Sequence, residues 1–157
     1  MLAFCKKKKA FYLLVGLIAL VGSFAFRGAN SSIEASNQFF STSFDPDYGK
    51  TKLKKWELAI TENGFFRLRK TLANGKQEYY SFNLSKFESL DYLGTESSGV
   101  LSLKTQSDNI IVQTFNDPAG NIDSMSHQLE VPLRNINLDN LNKLPENLEQ
   151  IKKSAAY

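Results

Sequence analysis

Between Lys54 and Leu84 apolar and polar residues alternate with a period of two, and the alternation breaks twice, at Glu62-Asn63-Gly64 and at Ala73-Asn74-Gly75. Period two marks a strand with one buried face, and Asn-Gly between two such runs marks a hairpin, because both residues tolerate positive φ. Register selects the loop length. Two-residue loops set Ile60 against Arg67 and Leu58 against Arg69, which mixes apolar and charged side chains on one face. Three-residue loops ending in glycine set Ile60 against Phe66, Leu58 against Leu68, Phe66 against Phe82 and Leu68 against Tyr80. They also bring Lys70 to Glu78 and Glu57 to Arg69. A one-residue slip turns a whole strand over, so only the second arrangement has a continuous apolar face. The pattern predicts a meander over 54–61, 65–72 and 76–84, with Trp56, Leu58, Ile60, Phe66, Leu68, Leu72, Tyr80, Phe82 and Leu84 inward.

Further along, 85–94 reads as a short strand or one turn of helix, and 95–99 as a loop. Val100 to Thr105 and Asn109 to Phe115 form a second hairpin around Gln106-Ser107-Asp108, with Leu101, Leu103, Ile110 and Val112 inward. Residues 116–121 are a turn by composition. Ile122 to Leu133 is one long alternating segment, with Met125, Leu129, Val131 and Leu133 inward and Pro132 at an edge or end. The last 20 residues change period: Leu138, Leu141, Leu144, Leu148 and Ile151 recur at three and four. Asn137 is the expected N-cap. Pro145 interrupts the pattern, so a short turn ending near Lys143 and a new helix opening at Pro145 are expected. The fold class expected is mainly β: a single antiparallel sheet or open barrel of six to seven strands, with a C-terminal helix packed on it. This order of elements is similar to that of pleckstrin-homology-like domains, without a shared motif, and no function follows from it.

Ahead of the strands the pattern is different. Four consecutive lysines, Lys6 to Lys9, precede the 17 uncharged, mostly apolar residues Ala10 to Phe26. Positive charge stays on the cytoplasmic side while an apolar helix enters the bilayer, so 1–26 reads as a signal peptide or N-terminal membrane anchor. Seventeen residues fall between a signal-peptide core and a full span. Ser23-Phe24-Ala25 favours cleavage after Ala25, and the bulky Phe24 and Phe26 favour retention. Both readings place the remainder outside the cytoplasm, in the periplasm or at the cell surface, with membrane contact through 10–26 at least during export. Residues 27–52 are rich in Ser and Asn without helical or strand period and read as a tether; 53–157 read as the exported domain. Phe39, Phe40 and Phe44 are out of place in a free linker, so part of it is expected to lie on the domain or on a membrane surface.

Charge then changes one conclusion. The chain carries +3 overall, but beyond Phe26 only 15 of the 19 basic residues remain against all 16 acidic ones. The basic excess belongs to the leader, and nucleic acid is not an expected partner. The lone cysteine, Cys5, precedes the apolar run, so neither disulfides nor a thiolate metal site are expected outside, and stability must come from an apolar core.

Candidate chemistry is sparse. His127, the single histidine, follows Ser124 and Ser126, but adjacent strand residues point to opposite faces, and His127 reads as a satisfied histidine at the core edge beside Met125 and Leu129. Asp45-Pro46-Asp47 and Asp117 to Asp123 contain oxygen ligands without calcium-loop spacing. Gly49-Lys50-Thr51 lacks the preceding glycine of a phosphate loop, since position 44 is Phe. No catalytic residue, metal or cofactor is assigned, and Glu78, Glu88, Asp91 and Glu130 are not brought together by any motif. One binding patch is expected: Phe65, Arg67, Arg69, Tyr79 and Ser81 share the outer face of the meander, a mix of rings and guanidinium groups suited to a glycan, peptide or anionic head group. The function expected is a non-enzymatic exported module for a protein or cell-envelope component. The alternative is a carrier holding a small apolar ligand within a barrel lined by Trp56, Phe66, Tyr80 and Phe82.

Overall fold

A computed structural model describes residues 30–50 and 52–155; the leader expected over 1–26 lies outside the described residues. A helix, α1, covers 30–43. It is followed by β1 (Leu53–Ile60), β2 (Phe65–Leu72), β3 (Gln77–Asn83), a 3₁₀ turn (Leu84–Lys86), β4 (Phe87–Gly94), β5 (Ser98–Thr105), β6 (Ile110–Phe115), β7 (Asp123–Ser126), β8 (Gln128–Arg134) and α2 (Leu138–Ala155). Residues 85–94, ambiguous in period, form the end of the 3₁₀ turn and strand β4.

The meander has the predicted register. Leu58 pairs with Leu68 and Ile60 with Phe66, while Phe66 pairs with Phe82 and Leu68 with Tyr80. The loops close as expected, with Thr61 N–H donating to Phe65 O (2.9 Å) and Leu72 N–H to Lys76 O (2.9 Å). Gly64 has φ +72, and a Cβ there would lie 2.7 Å from Cβ of Ala155. Glycine is thus required at this loop by its backbone angle and by the end of α2 resting on it.

The strands do not form the single sheet or barrel that was expected. They divide into a five-stranded sheet, β1-β2-β3-β6-β7, and a three-stranded sheet, β4-β5-β8. The hairpin expected between β5 and β6 is replaced by a crossing: β5 pairs with β4 and β8, and β6 with β3 and β7. At the crossing the Thr105 hydroxyl donates to Ser107 O (2.7 Å) and Asn109 N–H to the same carbonyl (2.6 Å), which turns the chain tightly out of the first ladder. The long segment expected over Ile122 to Leu133 breaks in the same place. Ser126 Oγ donates to Gln128 O (2.9 Å) and accepts from Gln128 N–H (3.2 Å), supplying locally the bonds that a continuous ladder would make. Thr105 N–H donates to His127 O (2.9 Å), so the two crossings are joined. The break also corrects two side chains expected inward: Met125 is 52% exposed, and His127 is exposed.

Of the segment expected as a tether over 27–52, residues 30–44 lie on the domain, one of the two placements expected from Phe39, Phe40 and Phe44. Ser32, Ile33, Ser36, Phe39, Phe40, Ser43 and Phe44 are all buried. Their spacing of three and four is helical, but three of the seven are serines, which a hydropathy pattern scores as polar although they are small enough to bury. Asn37 holds α1 to edge strand β1 by donating to Ile60 O (2.9 Å) and accepting from Ile60 N–H (2.7 Å). Phe44 bridges Leu133 of edge strand β8, and Asp45 N–H donates to Pro132 O (3.0 Å). This segment therefore runs from an edge of one sheet to an edge of the other. At its centre the Phe40 ring meets Phe66 edge-on at 5.5 Å, and Phe66 stacks on Phe82 at 5.3 Å.

The C-terminal segment is one helix rather than a turn and a helix. Asn137 caps it, accepting from Asn140 N–H (3.0 Å), and Leu141, Leu144, Leu148 and Ile151 are buried. Pro145 lies inside it on the exposed side. An interior proline costs about 3 kcal/mol. Four buried aliphatic side chains at about 1.5–3 kcal/mol each outweigh that cost and hold the helix in phase across it. Pro145→Ala is accordingly expected to stabilise the domain by as much as ~3 kcal/mol, measured as a higher denaturant midpoint with unchanged slope.

Candidate functional site

Alternation along β2 and β3 turns Phe65, Arg67, Arg69, Tyr79 and Ser81 to the side of the five-stranded sheet away from the core, although Ser81 is buried there, at 4% exposure. The register places Arg69 beside Tyr79 and Arg67 beside Ser81. Arg67 stands over the Phe65 ring at 5.6 Å and Arg69 over the Tyr79 ring at 5.7 Å. Glu57 faces Arg69 in register, yet among the described residues neither arginine takes part in an ion pair. The Arg69 guanidinium lies over the Tyr79 ring and forms no ion pair with Glu57. Strands β6 and β7 extend this face with Ile111, Phe115 and Met125, which are 38%, 45% and 52% exposed. Tyr79 pairs with Gln113 and Ile111 with Met125, so the apolar side chains continue directly from the aromatic and arginine pairs. A shallow groove of about 390 Å³ runs between Arg69, Gln77, Tyr79, Gln113 and Phe115. Ile111, Phe115 and Met125 were not legible in the sequence, since β6 and β7 join this sheet only through tertiary pairing.

A second concavity, of about 440 Å³, opens where the inward side of β2 and β3 runs past edge strand β8. Lys70, Glu78 and Tyr80 contribute from the sheet, Glu130 and Pro132 from β8, and Phe44 and Tyr48 from the segment after α1. Lys70 and Glu78 are in register, but Glu78 is engaged elsewhere, with Lys76 Nζ at 3.5 Å and the Tyr80 hydroxyl donating to it at 3.2 Å. Lys70 Nζ instead lies over the Tyr80 ring at 5.2 Å. Burial pushes its ammonium below the ordinary lysine value, with the Glu78 charge acting in the opposite sense. Burial, and then the neighbouring Glu78, hold the Tyr80 phenol above the ordinary tyrosine range. Glu78 and Glu130, separate in sequence, thus line one cleft, whereas Asp91 pairs with Lys104 on β5 at 2.7 Å.

The remaining candidates are already engaged. His127 Nδ1 lies 3.5 Å from Asp108 Oδ1 at the surface, and the Ser126 hydroxyl is bonded to Gln128. Asp45 and Asp47 lie 3.5 and 3.0 Å from Arg134. Asp117 pairs with Lys76 at 2.7 Å and accepts from Ala119 N–H at 3.0 Å. The hydrogen bond from Lys76, and then that from Ala119, lower the Asp117 carboxyl below its ordinary value. Among the described residues there is no group of three or more His, Cys, Asp and Glu side chains placed to hold a metal, and no helix long and apolar enough to cross a membrane. No known protein family, curated protein or solved structure matches this chain.

Proposed function

We propose that the chain is an exported or membrane-tethered, non-catalytic binding module that docks a protein or cell-envelope component on the outer face of the five-stranded sheet. The observation that carries this reading is the pair of arginines that form no ion pair among the described residues, each lying over a ring, beside exposed Ile111, Phe115 and Met125. Arginine and aromatic side chains contribute most to binding when a partner excludes water from them, and isolated polar surface does not. The carrier reading has less support, because Phe66 and Phe82, expected to line a ligand chamber, are 0% and 2% exposed and stacked on one another. The export part of the proposal rests on the lysine and apolar leader of residues 1–26.

The test is site-specific photocrosslinking in intact cells, with the probe at Gln113 on this face or at Leu93, which is 83% exposed elsewhere. A discrete adduct is expected from position 113 only. Replacing Arg67 and Arg69 together by alanine is expected to reduce its yield at least tenfold while leaving the melting temperature unchanged. Equal yields from both positions, or no dependence on the arginines, would remove the basis for this reading.

A further inference from the structure

The cleft beside Lys70 is separate from the outer face and raises a different question. Its lining includes Lys70, a half-buried residue that among the described residues forms no ion pair. Of the three carboxylates that line the cleft with it, Asp45, Glu78 and Glu130, Glu78 is held by Lys76 and the Tyr80 hydroxyl and Asp45 by Arg134. Glu78 offsets the desolvation of Lys70 only in part, and a partly desolvated cation with no carboxylate at ion-pair distance is stabilised when an anion reaches it. Lys50 adds a second cation among the lining residues. Phe44, Leu72 and Pro132 supply apolar wall, and Tyr48, 53% exposed, completes the lining. The volume of about 440 Å³ falls within the range of small-molecule sites, roughly 300–1,000 Å³.

We propose that this cleft binds a small amphiphile with an apolar body and a single carboxylate, the carboxylate on Lys70 and the body against Tyr80 and Leu72. Asp45, Glu78 and Glu130, which line the same cleft, set the charge limit: they oppose a multiply charged group such as a phosphate, whereas one negative charge is matched by Lys70. The chamber once expected inside a barrel is filled by Phe66 and Phe82, and the ligand site lies at the open end of the same sheet face.

The experiment is calorimetry on the full chain in lipid nanodiscs, with empty discs as the blank, using 4-phenylbutyrate and its neutral counterpart 4-phenylbutanol. Saturable binding of phenylbutyrate is expected, at least tenfold tighter than phenylbutanol. Lys70→Met is expected to abolish that preference and to leave phenylbutanol affinity within twofold. It should melt no lower than the parent: a lysine with a depressed folded-state pKa weakens the fold at every pH below that value, and methionine removes the penalty. The Arg67→Ala/Arg69→Ala double variant is expected to retain the preference. No saturable phenylbutyrate binding, equal affinity for acid and alcohol, or a preference that survives Lys70→Met would each overturn the proposal. Loss of the preference in the double-arginine variant would overturn it too, by placing the anion on the outer face. If Lys70→Met does not fold, the acid–alcohol comparison and the arginine variant decide.

Discussion

Phe40→Ala is expected to destabilise the domain by about 3–5 kcal/mol, the range for removing a fully buried aromatic ring. Phe40 is 0% exposed and meets Phe39 and Phe66 edge-on, each at 5.5 Å between centroids. Its helix is tied to both sheets, through Asn37 to Ile60 and through the bridge from Phe44 to Leu133, so the surroundings have little room to close over the space left behind. Denaturant unfolding of the full chain measures the effect, with Ser41→Ala, on the exposed side of the same helix, as the near-neutral comparison. An effect below about 1 kcal/mol at Phe40, the scale of ordinary surface changes, would mean that 30–44 does not belong to the core in solution.

Phe82→Ala is expected to cost a similar ~3–5 kcal/mol, for a different structural reason. Phe82 lies on β3, which is paired on both sides, with β2 and with β6, so the strand cannot slide to refill the cavity without turning its residues to the wrong face. Its ring is 2% exposed and stacks on Phe66 at 5.3 Å. Trp56→Ala supplies the contrast. Trp56 is only half-buried, against Phe44 at 4.5 Å, and its loss should cost clearly less than that of Phe82. Equal losses at the two positions would contradict the assignment of Phe82 to the closed centre and Trp56 to the margin.

The legible and illegible parts of the candidate surfaces separate along the same line. Phe65, Arg67, Arg69 and Tyr79 could be assigned to one outer face because register within a hairpin is a local matter: the loop and the alternation on either side of it determine every pair. Arg69 was also read as paired with Glu57, and Lys70 with Glu78. Register set those residues opposite one another, but it does not rank competing partners. Arg69 lies over Tyr79, and Glu78 is held by Lys76 and Tyr80. The cleft around Lys70 was illegible for that reason, and because Glu130, Pro132 and Tyr48 reach it from distant parts of the chain.

By itself the sequence determined the three-stranded meander and its two glycine-ended loops, the outward patch on β2 and β3, and the Asn137 cap with its buried leucine face. In each case the pattern within some twenty residues, alternation between turns or spacing of three and four behind a cap, selects the answer. Tertiary structure decided how the eight strands divide between two sheets, because alternation states which face of a strand is buried and not which strand lies beside it. It decided that 30–43 is a helix whose buried serines carry half the pattern. It decided also that α2 runs through Pro145, since a local rule costing about 3 kcal/mol is outweighed when several aliphatic side chains are buried against the rest of the domain.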